Sequence, residues 1–99
     1  PAVRGHGGYA LIIKEVEIVN RLGLHARASA KFVTCAGAFS SLIQVERDGR
    51  KVNGKSIMGV MMLAAAQGAR ITLHIQGEDE VPACAALESL IADRFGEGE

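Results

Sequence analysis

Along the chain the spacing of apolar residues switches repeatedly between two and about 3.6, and this switching limits the folds open to it. Ile71, Leu73 and Ile75 alternate with Arg70, Thr72, His74 and Gln76, the pattern of a strand with one buried face. His74 falls on the polar side and is expected to face solvent. Ile43, Val45 and Arg47 alternate with Gln44 and Glu46. Residues 12–19 alternate from Lys14 on, with Val16 and Ile18 opposed to Glu15 and Glu17. Asp48-Gly49 is a hairpin signal, so residues 50–53 return as a short strand.

Between the strands the period lengthens. Residues 26–36 are predicted helical, with Phe32, Val33 and Ala36 on one stripe, Ser29 as its one polar member, and Gly37 as the stop. Ser56 is placed as the N-cap of a second helix that runs to about Ala66 and ends at Gln67-Gly68. Residues 77–80 form an acidic turn and helix start, and Pro82 suits a first helical turn. Ala83, Leu87, Leu90, Ile91 and Phe95 then follow helical spacing, Gly96 ends the helix, and the last residues are expected to fray. The order βαββαβα predicts an open two-layer sandwich of α+β type, because an amphipathic sheet and amphipathic helices bury their apolar faces against each other. Residues 1–11 read as a flexible tail in which His6 is solvated, and residues 12–99 as one domain.

With one tyrosine, three phenylalanines and no tryptophan, the core must be built from aliphatic residues and methionine. Lys plus Arg equal Asp plus Glu, which argues against a nucleic-acid binder working by bulk charge. No apolar run reaches the length of a membrane span, and residues 1–10 lack the apolar core of a signal peptide. Cys35 and Cys84 have no metal-type spacing and read as small apolar helix residues rather than a disulfide. A cytoplasmic protein without direct membrane insertion fits these features.

The chemistry-bearing stretch is Gly23-Leu24-His25-Ala26-Arg27, at a strand-to-helix junction. The first N–H groups of a helix lack intrahelical partners and, with the helix dipole, make an anion site. The same field disfavours imidazolium and favours the neutral, nucleophilic ring of His25. Arg27 adds a planar, charged fork suited to phosphate. Together these features suggest an imidazole that accepts a phosphoryl group. The plainer reading is a surface histidine at a helix start beside a solvated arginine.

That stretch, followed by Asn53-Gly54-Lys55-Ser56-Ile57-Met58-Gly59-Val60-Met61 at the expected distance, closely resembles HPr, the small histidine phosphocarrier family of the bacterial phosphoenolpyruvate-dependent phosphotransferase system. The resemblance runs from about Ile12 to Phe95. It implies a four-stranded antiparallel sheet with three helices on one face. It also implies that His25 is the phosphorylated histidine, Arg27 its phosphate-stabilising partner and Ser56 a regulatory serine. Enzyme I, enzyme II A-type domains and an HPr kinase/phosphorylase are the implied partners. The implied role is a relay with a phosphohistidine intermediate rather than a stand-alone enzyme, working as a monomer with no metal or cofactor. Ala26, Ile57, Met58 and Met61 are expected to form a partner-docking surface, with about half of the Met-rich helix face in the core.

Three positions depart from the family pattern. Ala28 stands where many members have Pro, Leu22 where many have a small polar residue, and Gly54 where many have a bulky apolar one. The first is compatible with a helix, the second removes one hydrogen bond to the site, and the third is expected to loosen the loop before Ser56.

Two other chemistries compete. Residues 49–56 match the Walker A pattern letter for letter, with Lys55 on phosphates and Ser56 on magnesium. The leading glycine belongs to a hairpin turn, however, Val52 reads as strand, and no acidic strand end offers a metal partner. Cys-His or Ser-His-Asp catalysis lacks a nameable elbow or orienting acid. A regulatory binding module of the same fold, controlled through Ser56 without sugar transport, is the remaining alternative.

Overall fold

The computed structural model describes residues 11–99; the expectations for residues 1–10, His6 included, lie outside the described residues. The chain runs through β1 (Ile12–Glu17), α1 (Ala26–Gly37), β2 (Leu42–Arg47), β3 (Arg50–Asn53), α2 (Ile57–Met62), β4 (Arg70–Gln76) and α3 (Glu80–Ala92), closing with a 3₁₀ turn (Arg94–Gly96). The four strands form one antiparallel sheet in the order β1-β4-β2-β3.

Sheet register explains which side chains go inside. Ile12 pairs with Ile75, Val16 with Ile71 and Ile43 with Ile75, so one face presents Ile43, Val45, Ile71, Leu73 and Ile75, all fully buried. Phe32 and Ala36 of α1, Val60 of α2, Ala83, Leu87 and Ile91 of α3, and Phe95 close over that face. This is the open-faced sandwich expected from the periodicity. Arg47 and Arg50 pair across the two-residue loop Asp48-Gly49, whose φ angles of 51° and 81° are those of a primed hairpin turn.

Four local expectations need correction. Helix α1 includes Gly37 and is closed by Ala38 in a right-handed conformation, so no left-handed glycine ends it. Helix α2 stops at Met62 rather than near Ala66. Ala64 adopts φ 50° there, while the guanidinium groups of Arg47 and Arg50 donate to the carbonyls of Leu63 (3.0 Å) and Met62 (3.3 Å). Those bonds satisfy carbonyls that a longer helix would have used, so hairpin contacts override the good helix propensity of Ala64-Ala65-Ala66. His74 lies on the open face but is not simply solvated: its Nε2 is 2.8 Å from Glu46 and its side chain is 12% exposed. The loop before Ser56 is not loose, because Gly54 is buried, donates its N–H to Ile43 (2.8 Å) and leaves no room for a Cβ, which would lie 2.7 Å from Ile43 Cγ2.

Cys35 and Cys84 lie on α1 and α3 as free thiols, and burial pushes both up from the ordinary thiol range, which makes them poor nucleophiles. Among the described residues no helix is long and apolar enough to cross a membrane, and no cluster of side chains is arranged to hold a metal ion.

Candidate functional site

The loop leading into α1 is held from both sides. Gly23 takes φ 69° and lies so close to the backbone after α2 that an added Cβ would stand 2.5 Å from the Ala65 carbonyl oxygen. The next residue, Leu24, donates its N–H to that same oxygen at 2.8 Å. Its own carbonyl accepts the hydroxyl of Ser29 at 3.1 Å, a fully buried side chain. Ser29, the one polar member of the stripe, thus ties the start of α1 to the loop before it. The early end of α2 frees the Ala65 carbonyl for this loop, so the shortened helix and the placement of residue 25 are one feature.

His25 is the N-cap of α1, with extended backbone (φ −73°, ψ −179°). Its Nδ1 accepts the backbone N–H of Arg27 at 3.2 Å, one of the orphan donors of the first turn. On the other side of the ring, Nε2 meets the Glu97 carboxylate in a very short contact. Glu97 also accepts Asn20 Nδ2 at 3.0 Å, and this bond, followed by that from His25, holds its carboxyl below the usual carboxylate range. A charged carboxylate is an acceptor, so the bonds assign the proton to Nε2 and leave the Nδ1 lone pair at the positive end of α1.

The ring opens on a cleft of about 660 Å³ lined by the side chains of Arg21, Arg27 and Lys31, together with Glu97 and Glu99. The Arg27 side chain is exposed, and Arg27 lines this cleft. Leu22 is 67% exposed on its rim and brings no polar group.

Ser56 caps α2: its Oγ accepts the N–H of Gly59 at 3.1 Å. Ala26 is exposed, and so are Ile57, Met58, Met61 and Met62, at 43%, 70%, 38% and 59%. The expectation that half of this Met-rich face is core is therefore corrected; Val60 is the buried residue of α2. Helices α1 and α2 pack together, which sets this exposed apolar face on the neighbour of the helix that carries His25.

The Walker-type segment is not a phosphate loop. Its first glycine is in the hairpin turn, residues 50–53 are β3, and Lys55 Nζ donates to the Phe39 carbonyl at 2.6 Å.

Sequence reasoning missed Asn20, Glu97 and the tie from Arg21 to Glu99. Segment 97–99 is tied back to the loop before α1: the Arg21 N–H donates to the Glu99 carbonyl at 2.9 Å and its guanidinium to the Glu99 carboxylate at 2.8 Å.

Fold and site together define a small open-faced sandwich presenting one imidazole at a helix start inside a basic cleft. Residues 12–93 match the family model described as the PTS HPr component phosphorylation site. The phosphocarrier protein HPr of Cupriavidus necator is 55% identical over 89 residues, covering 90% of this chain and all of that one. The crystal structure of HPr from Thermoanaerobacter tengcongensis superimposes with a TM-score of 0.84 at 50% identity, over 87% of this chain and 97% of that one. The solution structure of Crh, the Bacillus subtilis catabolite repression HPr, gives 0.61 at 45% identity, over 81% and 95%. The chain belongs to the HPr family of phosphocarriers of the phosphotransferase system.

Proposed function

We propose that His25 accepts a phosphoryl group on Nδ1 from phosphorylated enzyme I and passes it to enzyme II A-type domains during sugar uptake in the cytoplasm. The observation that carries this reading is the pair of ring contacts, with the lone pair of Nδ1 at the start of α1 and Nε2 held by Glu97. In the transfer, the Arg27 N–H releases the Nδ1 lone pair, which forms a bond to phosphorus, and the freed N–H becomes a donor for a phosphoryl oxygen. The bond from phosphorus to the donor atom breaks, and its electrons leave on the donor. The ring keeps its Nε2 proton and becomes cationic, so no proton has to move. The N–H groups of the first turn of α1 and the Arg27 guanidinium face the charge that the phosphoryl oxygens bring. An open cleft with few fixed contacts suits a carrier, because tight clamping would slow release.

Ser56 is proposed as the regulatory phosphorylation site of an HPr kinase/phosphorylase. As the cap of α2 it stands where free N–H groups tolerate an anion, beside the exposed Ile57 and Met58. Those two residues, with Ala26 and Met61, form the proposed docking surface. A second reading, a regulatory module controlled through Ser56 without sugar transport, is favoured by the likeness to Crh.

The test is phosphoenolpyruvate-dependent labelling through enzyme I in wild type and His25→Ala. The variant is expected to fold and to lose all labelling. Labelling that survives, or moves to His6 or His74, would overturn the assignment. A wild type that takes no label yet binds a partner in a Ser56-phosphorylation-dependent way would favour the second reading.

A further inference from the structure

The segment after α3 is built to deliver a carboxylate to His25. Arg94, Phe95 and Gly96 take φ angles of 56°, 54° and 74°, which reverse the chain after the helix. Left-handed backbone is unfavourable for non-glycine residues, so two in succession need compensation from their surroundings. Phe95 is fully buried, and its carbonyl accepts Lys31 Nζ at 2.6 Å. The reversal places the Glu97 side chain, only 12% exposed, between His25 and Asn20.

Asn20 explains how the carboxylate is aimed. It is fully buried, and its one amide nitrogen donates both to the Gly23 carbonyl at 2.9 Å and to Glu97 at 3.0 Å. Its Oδ1 has no hydrogen-bond partner among the described residues. An orphan buried acceptor is costly. Turning the amide over would be worse, because it would aim Oδ1 at a carbonyl and a carboxylate. The cost is therefore accepted in order to bind the loop and Glu97 through one group.

We propose that Glu97, anchored by Asn20, is the positioning residue that holds the Nε2 proton of His25, fixes Nδ1 as the acceptor atom and stabilises the cationic phospho-imidazole. This rests on the carrier reading of His25 given above. A carboxylate behind a histidine fixes its tautomer and offsets the charge that develops on it, as in other His-centred sites. Phosphorylation at Nδ1 creates a ring cation whose remaining proton points at Glu97, so the contact strengthens on phosphorylation. Among the described residues the other charges at the cleft are Arg21, Arg27, Lys31 and Glu99; Glu99 is engaged by Arg21, which leaves Glu97 as the carboxylate on the ring. When a phospho-imidazole that keeps its Nε2 proton transfers its phosphoryl group, the electrons of the broken N–P bond return to Nδ1 and the ring departs as neutral imidazole rather than as an anion. Glu97 thereby favours transfer in both directions.

The experiment uses the full chain in wild type, Glu97→Gln, Glu97→Asp and Asn20→Ala. The first readout is the ring ¹⁵N shifts of unphosphorylated His25, which report the tautomer without enzyme I. The second is phosphoryl transfer from enzyme I and the pH profile of phosphohistidine hydrolysis. Glu97→Gln is expected to mix the tautomers, to slow transfer on the order of tenfold to a hundredfold, as loss of a histidine-orienting carboxylate does elsewhere, and to move the pH at which hydrolysis slows downwards. Asn20→Ala is expected to act in the same direction, and Glu97→Asp to restore part of each effect. Unchanged tautomer and profile in Glu97→Gln, with wild-type labelling at His25, would overturn this proposal and leave the carrier reading intact. Absence of labelling in wild type itself would overturn both.

Discussion

Replacing Gly23 by alanine should damage the fold and the site together. Two costs add at this position. The backbone has φ 69°, and holding a non-glycine residue there costs about 1–2 kcal/mol. The new Cβ would lie 2.5 Å from the Ala65 carbonyl oxygen and 2.9 Å from Ala66 Cα. Both are backbone atoms and cannot rotate away, so overpacking of about 1–3 kcal/mol is expected. A combined loss of about 3 kcal/mol lowers Tm by roughly 12–24 °C in a domain of this size. Gly49→Ala is the control, because φ there is 81° but nothing lies within 4 Å of the added Cβ. It should lose only the backbone part, about 1–2 kcal/mol. With no tryptophan in the chain, thermal and urea unfolding are followed by far-ultraviolet circular dichroism. Equal losses in the two variants would refute the argument that the loop is pressed against the segment after α2. A Gly23→Ala variant as stable as wild type would refute the left-handed turn as well.

Three further outcomes are expected. Asp79 accepts bonds from the Ser41 hydroxyl and the Ser40 and Ser41 N–H groups, which hold its carboxyl at about 2 against an ordinary 3.8. Its contribution is therefore complete above pH about 4 and lost as pH falls through 2, so the stability gap between wild type and Asp79→Asn, read as urea midpoints, should narrow from pH 6 to pH 2.5. For Arg27, losing one charge-assisted bond of about 1.5–3 kcal/mol in the transition state slows transfer roughly tenfold or more in Arg27→Ala, with Arg27→Lys in between for want of the planar fork; stopped-flow rates equal to wild type in both would remove Arg27 from the relay. Ser56→Asp should melt within about 0.5 kcal/mol of wild type, since Asp is an equally good cap, yet accept phosphate from enzyme I more slowly because a charge enters an apolar docking face.

The parts of this fold that depend on local pattern were legible in the sequence. The alternation in residues 70–76 and the Asp48-Gly49 turn each determine a face or a register through neighbours in the chain. The placement of His25 and Arg27 at a helix start was equally legible, because a helix start is a local event. What was not legible depends on distant partners. The end of α2 is decided by Arg47 and Arg50 from the hairpin, against the helix preference of three alanines. The reversal at Arg94–Gly96 places two non-glycine residues where turn chemistry would put glycine, so segment 97–99 read as a loose acidic end. Its contact with His25 spans 72 positions and leaves no periodic trace. Asn20 looked like an ordinary loop residue until its burial and its two donor bonds were seen together.

The central claim is that His25 is the carrier and Nδ1 its acceptor atom. The most direct measurement is to incubate the chain with enzyme I and phosphoenolpyruvate, keep the product alkaline, and locate the phosphoryl group by mass spectrometry and by ³¹P and ¹⁵N NMR. The account predicts one acid-labile phosphoryl group per chain, on Nδ1 of His25, with Nε2 still protonated near neutral pH. Phosphate on Nε2 of His25, on His74 or His6, or no phosphate at all would contradict it.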